Sequence, residues 1–197
     1  MDKRPVDGPV RVAAPGPQGI GGKGLAGDAV CKKQHHGGDD QAVYAMARED
    51  LDAWEGEPGR SLANGAFGEN LTTRGIDVSG ALIGERRRLG PEVVLEVTSA
   101  RIPWGTFQGH MDEKRWVQRF TQRGAPGAYP RVIQPGEIRT GNPVEIVHRP
   151  DHDVTVALAF RAMTTERPLQ PRLLAVGGAL HSELRTWALA HVEHNGA

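Results

Sequence analysis

Glycine and proline interrupt this sequence almost everywhere, and that punctuation limits what the chain can build. Together they occupy 40 of the 197 residues (26 glycines and 14 prolines), more than an ordinary globular domain uses. Each proline removes a backbone donor and each glycine loosens the backbone, so regular elements must be short and joined by turns. Short strands are favoured over long helices on that ground, and 197 residues suffice for one sizeable core.

The clearest strand signal spans residues 82–100. LIGERRRLG and PEVVLEVTSA read as two strands around a Gly90-Pro91 turn, with Val93, Leu95 and Val97 on one face and Glu92, Glu96 and Thr98 on the other. That alternation predicts a half-buried antiparallel hairpin. Val10-Arg11-Val12 alternates like a strand, and APGPQGIGGKGLAGD after it reads as a surface loop. Glu69–Thr73 is expected to be extended, and Val132-Ile133 and Val144–Val147 flank turn chemistry at Pro135-Gly136 and Gly141-Asn142-Pro143.

Helical spacing is rarer. Val43, Met46, Ala47, Leu51 and Trp54 recur as on one helix face, predicting a helix of about four turns that starts near Asp40. Asp39 or Asp40 is its expected cap. Asp112 is expected to cap a second helix through Arg123, with Trp116, Val117 and Phe120 on the apolar stripe. From about Pro150 three short helical segments follow, with Thr155 and Ser182 as caps and Gly177-Gly178 as a break. The fold class is therefore mostly β (α+β), divided into a unit at 1–149 and a helical appendage at 150–197.

The 24 basic residues balance the 24 acidic ones, so nothing drives generic binding to nucleic acid. MDKRPVDGPVRV at the start has no apolar signal-peptide core, no run is long enough to span a bilayer, and Cys31 stands alone. These features predict a soluble, cytoplasmic protein without disulfides.

One decapeptide, CKKQHHGGDD at 31–40, concentrates reactive residue types. On an extended segment His35 and His36 point to opposite sides and do not readily share one ion, so no metal is assigned. Gly37-Gly38 ahead of a helix, with Lys32 and Lys33 nearby, fits an anion cradle; a cap followed by a turn is the commoner use of the same residues. Arg86-Arg87-Arg88 reads as a solvated strand face. There is no Ser-His-Asp order, dinucleotide fingerprint or P-loop.

Six phrases carry a further signal: GLAGD (24–28), HHGGDDQAVYAMAREDLDAWE (35–55), GAFGENLTTRGIDV (65–78), LIGERRRLG (82–90), VLEVTSARIP (94–103) and PGAYPRVIQPGEIRTGNPVEI (126–146). In this order and spacing they resemble the MOSC family, the domain named for the C-terminal part of molybdenum cofactor sulfurase. HDVTVALAF and the helices after it look like the three-helix extension of the hydroxylaminopurine-resistance branch. The resemblance implies a β-barrel with peripheral helices and a cleft for a molybdenum-pterin cofactor; pyridoxal phosphate is not expected. His35, His36, Gly37, Gly38, Glu69, Asn70, Arg101 and Trp104 are the positions it implies for cofactor binding.

Relatives with known activity reduce N-hydroxylated bases and amidoximes or are proposed to carry sulfur. The implied partners are thus a small-molecule cofactor or an N-hydroxylated substrate, together with a redox partner or a second copy of the chain; no nucleic acid or membrane is implied. Two departures stand out. The family phrase Arg-x-Pro-Cys, whose cysteine is the metal ligand or sulfur carrier, reads Arg101-Ile102-Pro103-Trp104, and an indole offers neither a soft donor nor a sulfur atom. The chain also starts close to the phrase matched by KRPVDGPV, which implies one barrel strand fewer and an edge that another subunit could cover. Two functions follow as expectations: a molybdenum-dependent N-hydroxy reductase, or a ligand-binding or sulfur-carrier-like module without metal-centred catalysis. Cys31, beside two lysines that favour its thiolate, is a candidate replacement for the lost thiol; an ordinary partly buried cysteine is the commoner use of such a residue.

Overall fold

The computed structural model describes residues 3–28, 37–56 and 61–195. The strands are β1 (Val10–Val12), β2 (Ala45–Ala47), β3 (Leu71–Thr73), β4 (Arg86–Leu89), β5 (Val93–Ala100), β6 (Ala128–Gln134), β7 (Gly136–Ile138) and β8 (Val144–His148). The helices are α1 (Arg48–Glu55), α2 (Gly105–Met111), α3 (Trp116–Arg123), α4 (Val156–Thr164) and α5 (Ser182–Asn195). Six strands form a curled sheet in the order β3-β2-β6-β5-β4-β8, and β1 pairs with β7 in a second sheet. All pairings are antiparallel except β2 with β3. The fold is mostly β with helices packed around it, as the turn density requires.

The hairpin forms where expected, with β4 and β5 in register from Arg86↔Glu96 to Leu89↔Val93. Gly90 is needed at its turn: φ there is +61°, and a Cβ would fall 2.9 Å from the Asn142 side chain. The expected half-burial of β5 does not hold. Glu96, Thr98 and Ser99 are buried along with Val93, Leu95 and Val97, because α4 and the 3₁₀ segment Arg167–Ala179 pack across the strand. Alternating polarity here marks a face covered by polar contacts, and solvent does not reach it.

The helix expected from Asp40 through Trp54 is replaced by three elements: a single 3₁₀ turn at Asp39–Gln41, strand β2, and α1 starting only at Arg48. Sheet pairing decides this, since β2 sits between β3 and β6 and all three of its residues are buried. Neither aspartate acts as a side-chain cap. Asp39 Oδ1 accepts from the Gly16 N–H (2.8 Å), and Asp40 Oδ2 accepts from the Ser182 N–H (3.0 Å) where α5 begins.

The helix expected from Asp112 through Arg123 is also divided. Asp112 ends α2 and Arg115 precedes α3, both in the left-handed region (φ 50° and 59°). The break lets Phe107 of α2 meet Trp116 and Phe120 of α3 edge to face, with ring centroids 5.6 and 5.1 Å apart. In the tail, Thr155 Oγ1 accepts from the Leu158 N–H (3.0 Å) and caps α4 as expected. Residues 167–179 are 3₁₀ rather than α-helical, broken at Gly177 (φ 64°, ψ −133°).

All four phenylalanines of the chain, Phe67, Phe107, Phe120 and Phe160, pack with Trp54 and Trp116 in one aromatic cluster. Phe160 of α4 lies 6.2 Å from Phe120, and Val156, Leu173, Leu184 and Ala188 join the same core. The C-terminal helices and the sheet therefore bury apolar surface against each other. Phe120→Ala opens a hole at the centre of this cluster and is expected to lower unfolding free energy by about 3–5 kcal/mol, measured by urea denaturation.

His181, buried just before α5, accepts the Glu183 N–H on Nδ1 (3.2 Å). Burial holds its pKa below the usual histidine value; Asp40 and Glu183 oppose that shift, and Arg131 adds to it. A histidine kept neutral in the fold but free to protonate when unfolded favours the unfolded chain as pH falls through about 6.5. Stability is thus expected to be fullest above that value and to decline below it, and His181→Gln is expected to flatten the slope in thermal melts from pH 7.5 to 5.

Candidate functional site

Arg101 directly follows β5, and its burial demands compensation. Its guanidinium lies 3.8 Å from the Phe107 ring centroid and 4.9 Å from that of Tyr44, and Nη1 donates to the Phe67 carbonyl. Two aromatic faces and a carbonyl thus stabilise the buried guanidinium.

Glu69 shapes the turn that supplies this carbonyl. Its carboxylate accepts from the Gly65 N–H (2.6 Å), the Phe67 N–H (3.0 Å) and the Thr72 hydroxyl (3.0 Å). Asn70 beside it accepts the Tyr44 N–H on Oδ1 (2.9 Å) and donates from Nδ2 to Asp28 (2.8 Å), which also pairs with Lys3 (3.1 Å). The Asn70 and Leu71 N–H groups return to the Tyr44 carbonyl (2.7 and 3.1 Å). Glu69, Asn70 and Arg101 therefore meet around Tyr44 and Phe67 although they lie far apart in the chain.

Tyr44 packs against Tyr129 with centroids 5.1 Å apart, and these are the chain's two tyrosines. The Tyr44 hydroxyl donates to the Pro126 carbonyl (2.9 Å). Burial pushes both phenols up from their ordinary pKa, and the nearby Arg101 charge offsets part of the rise. Both stay neutral hydrogen-bonding groups at physiological pH.

Trp104 stands apart from this packing. It is 61% exposed at the start of α2, three residues before Phe107, and its carbonyl accepts the Phe107 N–H (2.8 Å). Gly37 and Gly38 both have positive φ. At Gly38 a Cβ would come within 3.0 Å of the Gln18 backbone, so Gly38 packs against that residue. Because only a 3₁₀ turn follows it, the anion cradle loses the helix end on which it depended. Cys31, Lys32, Lys33, His35 and His36 lie outside the described residues.

None of these residues lines either of two cavities found among the described residues. One is a void of about 30 Å³ inside the sheet, edged by Leu71, Arg87, Leu95, Val97 and Val144, with room for about one water. The other, of about 350 Å³, opens between the sheet and residues 176–179. Among the described residues no group of three or more histidine, cysteine, aspartate or glutamate side chains could hold a metal ion, and no helix is long and apolar enough to cross a membrane.

Sequence reasoning missed Tyr44, Tyr129, Phe67 and Phe107 as the surfaces on which Arg101 rests. Tyr44 lay off the stripe of a helix that does not form, and Phe67 sat unassigned inside the GAFGEN phrase. No local signal pairs an arginine with two rings distant in sequence.

Comparison with known proteins agrees with this architecture. The MOSC domain model matches residues 32–145. Escherichia coli YiiM is 34% identical over 170 residues, covering 83% of this chain and 75% of that protein. The crystal structure of that protein superposes with a TM-score of 0.76 at 27% identity, covering 98% of this chain and 88% of the other. Bacillus subtilis YflK is 34% identical over 135 residues, 68% of this chain, and the match spans 61% of YflK's own length. A reductase of Gibberella moniliformis is 30% identical over 151 residues, which are 75% of this chain and only 25% of that protein. The chain belongs to the MOSC family, and its similarity to YiiM and YflK agrees with the hydroxylaminopurine-resistance-like branch.

Asn70 acts here as a brace between Asp28 and the Tyr44 backbone. Asn70→Leu keeps the volume but leaves the buried Tyr44 N–H unpaired, with an expected loss of about 1–3 kcal/mol, seen as a lower urea midpoint at unchanged m-value.

Proposed function

We propose that this chain is a MOSC module that binds a flat heterocycle of the pterin type without a protein thiolate to hold molybdenum, and so serves as a binding or carrier module. The exposed indole of Trp104 carries this reading: it occupies the position of the family thiol and presents a broad aromatic face at 61% exposure. Such a face stacks on a planar ring but supplies no metal donor and no sulfur for persulfide transfer.

Tested against the molybdenum-pterin cofactor, the residues fit in part. The ring system has a stacking partner in Trp104, while the metal has no thiolate among the described residues and no cluster of ligating side chains. No reaction step is assigned to the metal. The roles proposed for the other positions are unequal. Arg101 holds the 65–69 turn and α2 together behind Trp104, and Glu69 and Asn70 fix that turn through internal hydrogen bonds. Gly37 and Gly38, with His35 and His36, are proposed as further ligand-contacting positions.

A second reading, reduction of N-hydroxylated compounds with a separate redox partner supplying electrons, is favoured by the similarity to the Gibberella moniliformis reductase. Elemental analysis separates the two when the protein is purified from cells able to make the cofactor. The binding module is expected to hold pterin fluorescence with substoichiometric molybdenum and no N-hydroxy reductase turnover. Stoichiometric molybdenum with turnover would establish the reductase instead. Trp104→Ala is expected to weaken pterin binding by about threefold to tenfold, and Trp104→Cys to raise molybdenum retention.

A further inference from the structure

The cavity of about 350 Å³ lies between β4, β5, β8 and the end of the 3₁₀ segment, lined by Arg86, Glu96, His148, His152, Gly84 and Gly178 among others. Its volume is within the range of about 300–1,000 Å³ seen for small-molecule sites. None of the described positions assigned to pterin binding borders it.

Its polar side chains can be counted. The Glu96 carboxylate is already matched on both oxygens: Oε2 accepts from Arg86 Nε (2.7 Å), and Oε1 lies 3.8 Å from Arg131 Nη1. Arg131 in turn pairs with Asp40 (2.8 Å) and donates to the Gly178 and Ala179 carbonyls (3.3 and 3.1 Å). Those carbonyls follow the break at Gly177, so the acceptors on this side of the cavity face Arg131.

What is left over is mostly donors. Arg86 uses only Nε, and its two terminal nitrogens have no partner among the described residues. His152 accepts the Val154 N–H on Nδ1 (3.2 Å), which places the proton of the neutral ring on Nε2; that N–H and the His148 ring have no partner among the described residues. Unspent donors with no unspent carboxylate call for a ligand rich in acceptors. The same count disfavours a divalent cation, since Glu96 is already neutralised by two guanidinium groups and no cluster of three ligating side chains forms here.

We propose that this cavity binds a compact oxyanion, the phosphate or carboxylate group of a small metabolite, held by the terminal nitrogens of Arg86 and the Nε2–H of His152, with His148 at the rim. A bound anion touches the sheet and the C-terminal segment at once, so occupancy also stabilises their contact.

Calorimetric titration of the full chain with inorganic phosphate, and separately with succinate, tests this at ionic strength held constant with chloride. Saturable one-to-one binding of at least one anion, accompanied by a raised melting temperature, is expected. The tighter of the two identifies the group as phosphoryl or carboxyl. Arg86→Gln and His152→Asn, the second keeping an oxygen for the Val154 N–H, are each expected to weaken binding about tenfold. Arg88→Gln, on the same strand but paired with Glu145 on the exposed surface, is expected to leave it unchanged. Absence of saturable binding of both anions, or an equal loss in Arg88→Gln, overturns the proposal. If Arg86→Gln does not fold by circular dichroism, His152→Asn decides alone: unchanged affinity in it also overturns the proposal.

Discussion

The backbone of Tyr44 has both polar groups committed to one short stretch of chain. Its N–H donates to the Asn70 side chain, and its carbonyl receives the Asn70 and Leu71 N–H groups. A helix through this region would send that N–H to the carbonyl four residues earlier, so the two arrangements exclude each other. With the strand chosen, Ala45 pairs with both Leu71 and Ala128, and the Tyr44 ring is carried beneath Arg101 against Tyr129. The sheet order and the surroundings of the buried arginine both follow from a choice made at one residue.

Arg101 shows how a buried charge can rest on aromatic surfaces. Two ring faces and a carbonyl lie against its guanidinium, and the turn offering the carbonyl is itself held by Glu69. The family position three residues later is free of this network, with the Trp104 side chain largely in solvent. The buried support around Arg101 and the exposed position at Trp104 are thus separate, and that separation is what makes the proposed binding role compatible with the fold.

Strand β5 organises the opposite side. Its apolar residues join the core and its polar residues meet the C-terminal segment, so neither face is solvated. Charge on the polar face is balanced along a chain from Asp40 through Arg131 and Glu96 to Arg86. Replacing one member leaves the others less well matched, which is why such networks resist piecemeal change. The chain also connects Asp40, two residues after the glycine pair, to the rim of the polar cavity, placing the C-terminal helices within the architecture of the sheet.

Where turn chemistry and strict alternation coincide, the residues themselves decide the structure. The Gly90 hairpin, the Thr155 cap and the break at Gly177 depend on neighbours a few positions away and are legible in the sequence, as is the family, from phrases spread along the chain. Helix against strand at 40–54, one helix against two at 105–123, and the covering of both faces of β5 were not legible, because each was decided by partners 25 or more positions away or by rings meeting in the core. Periodicity records which side chains prefer burial; which backbone groups find partners, and therefore which rings close around Arg101, is settled only when distant segments compete for the same hydrogen bonds.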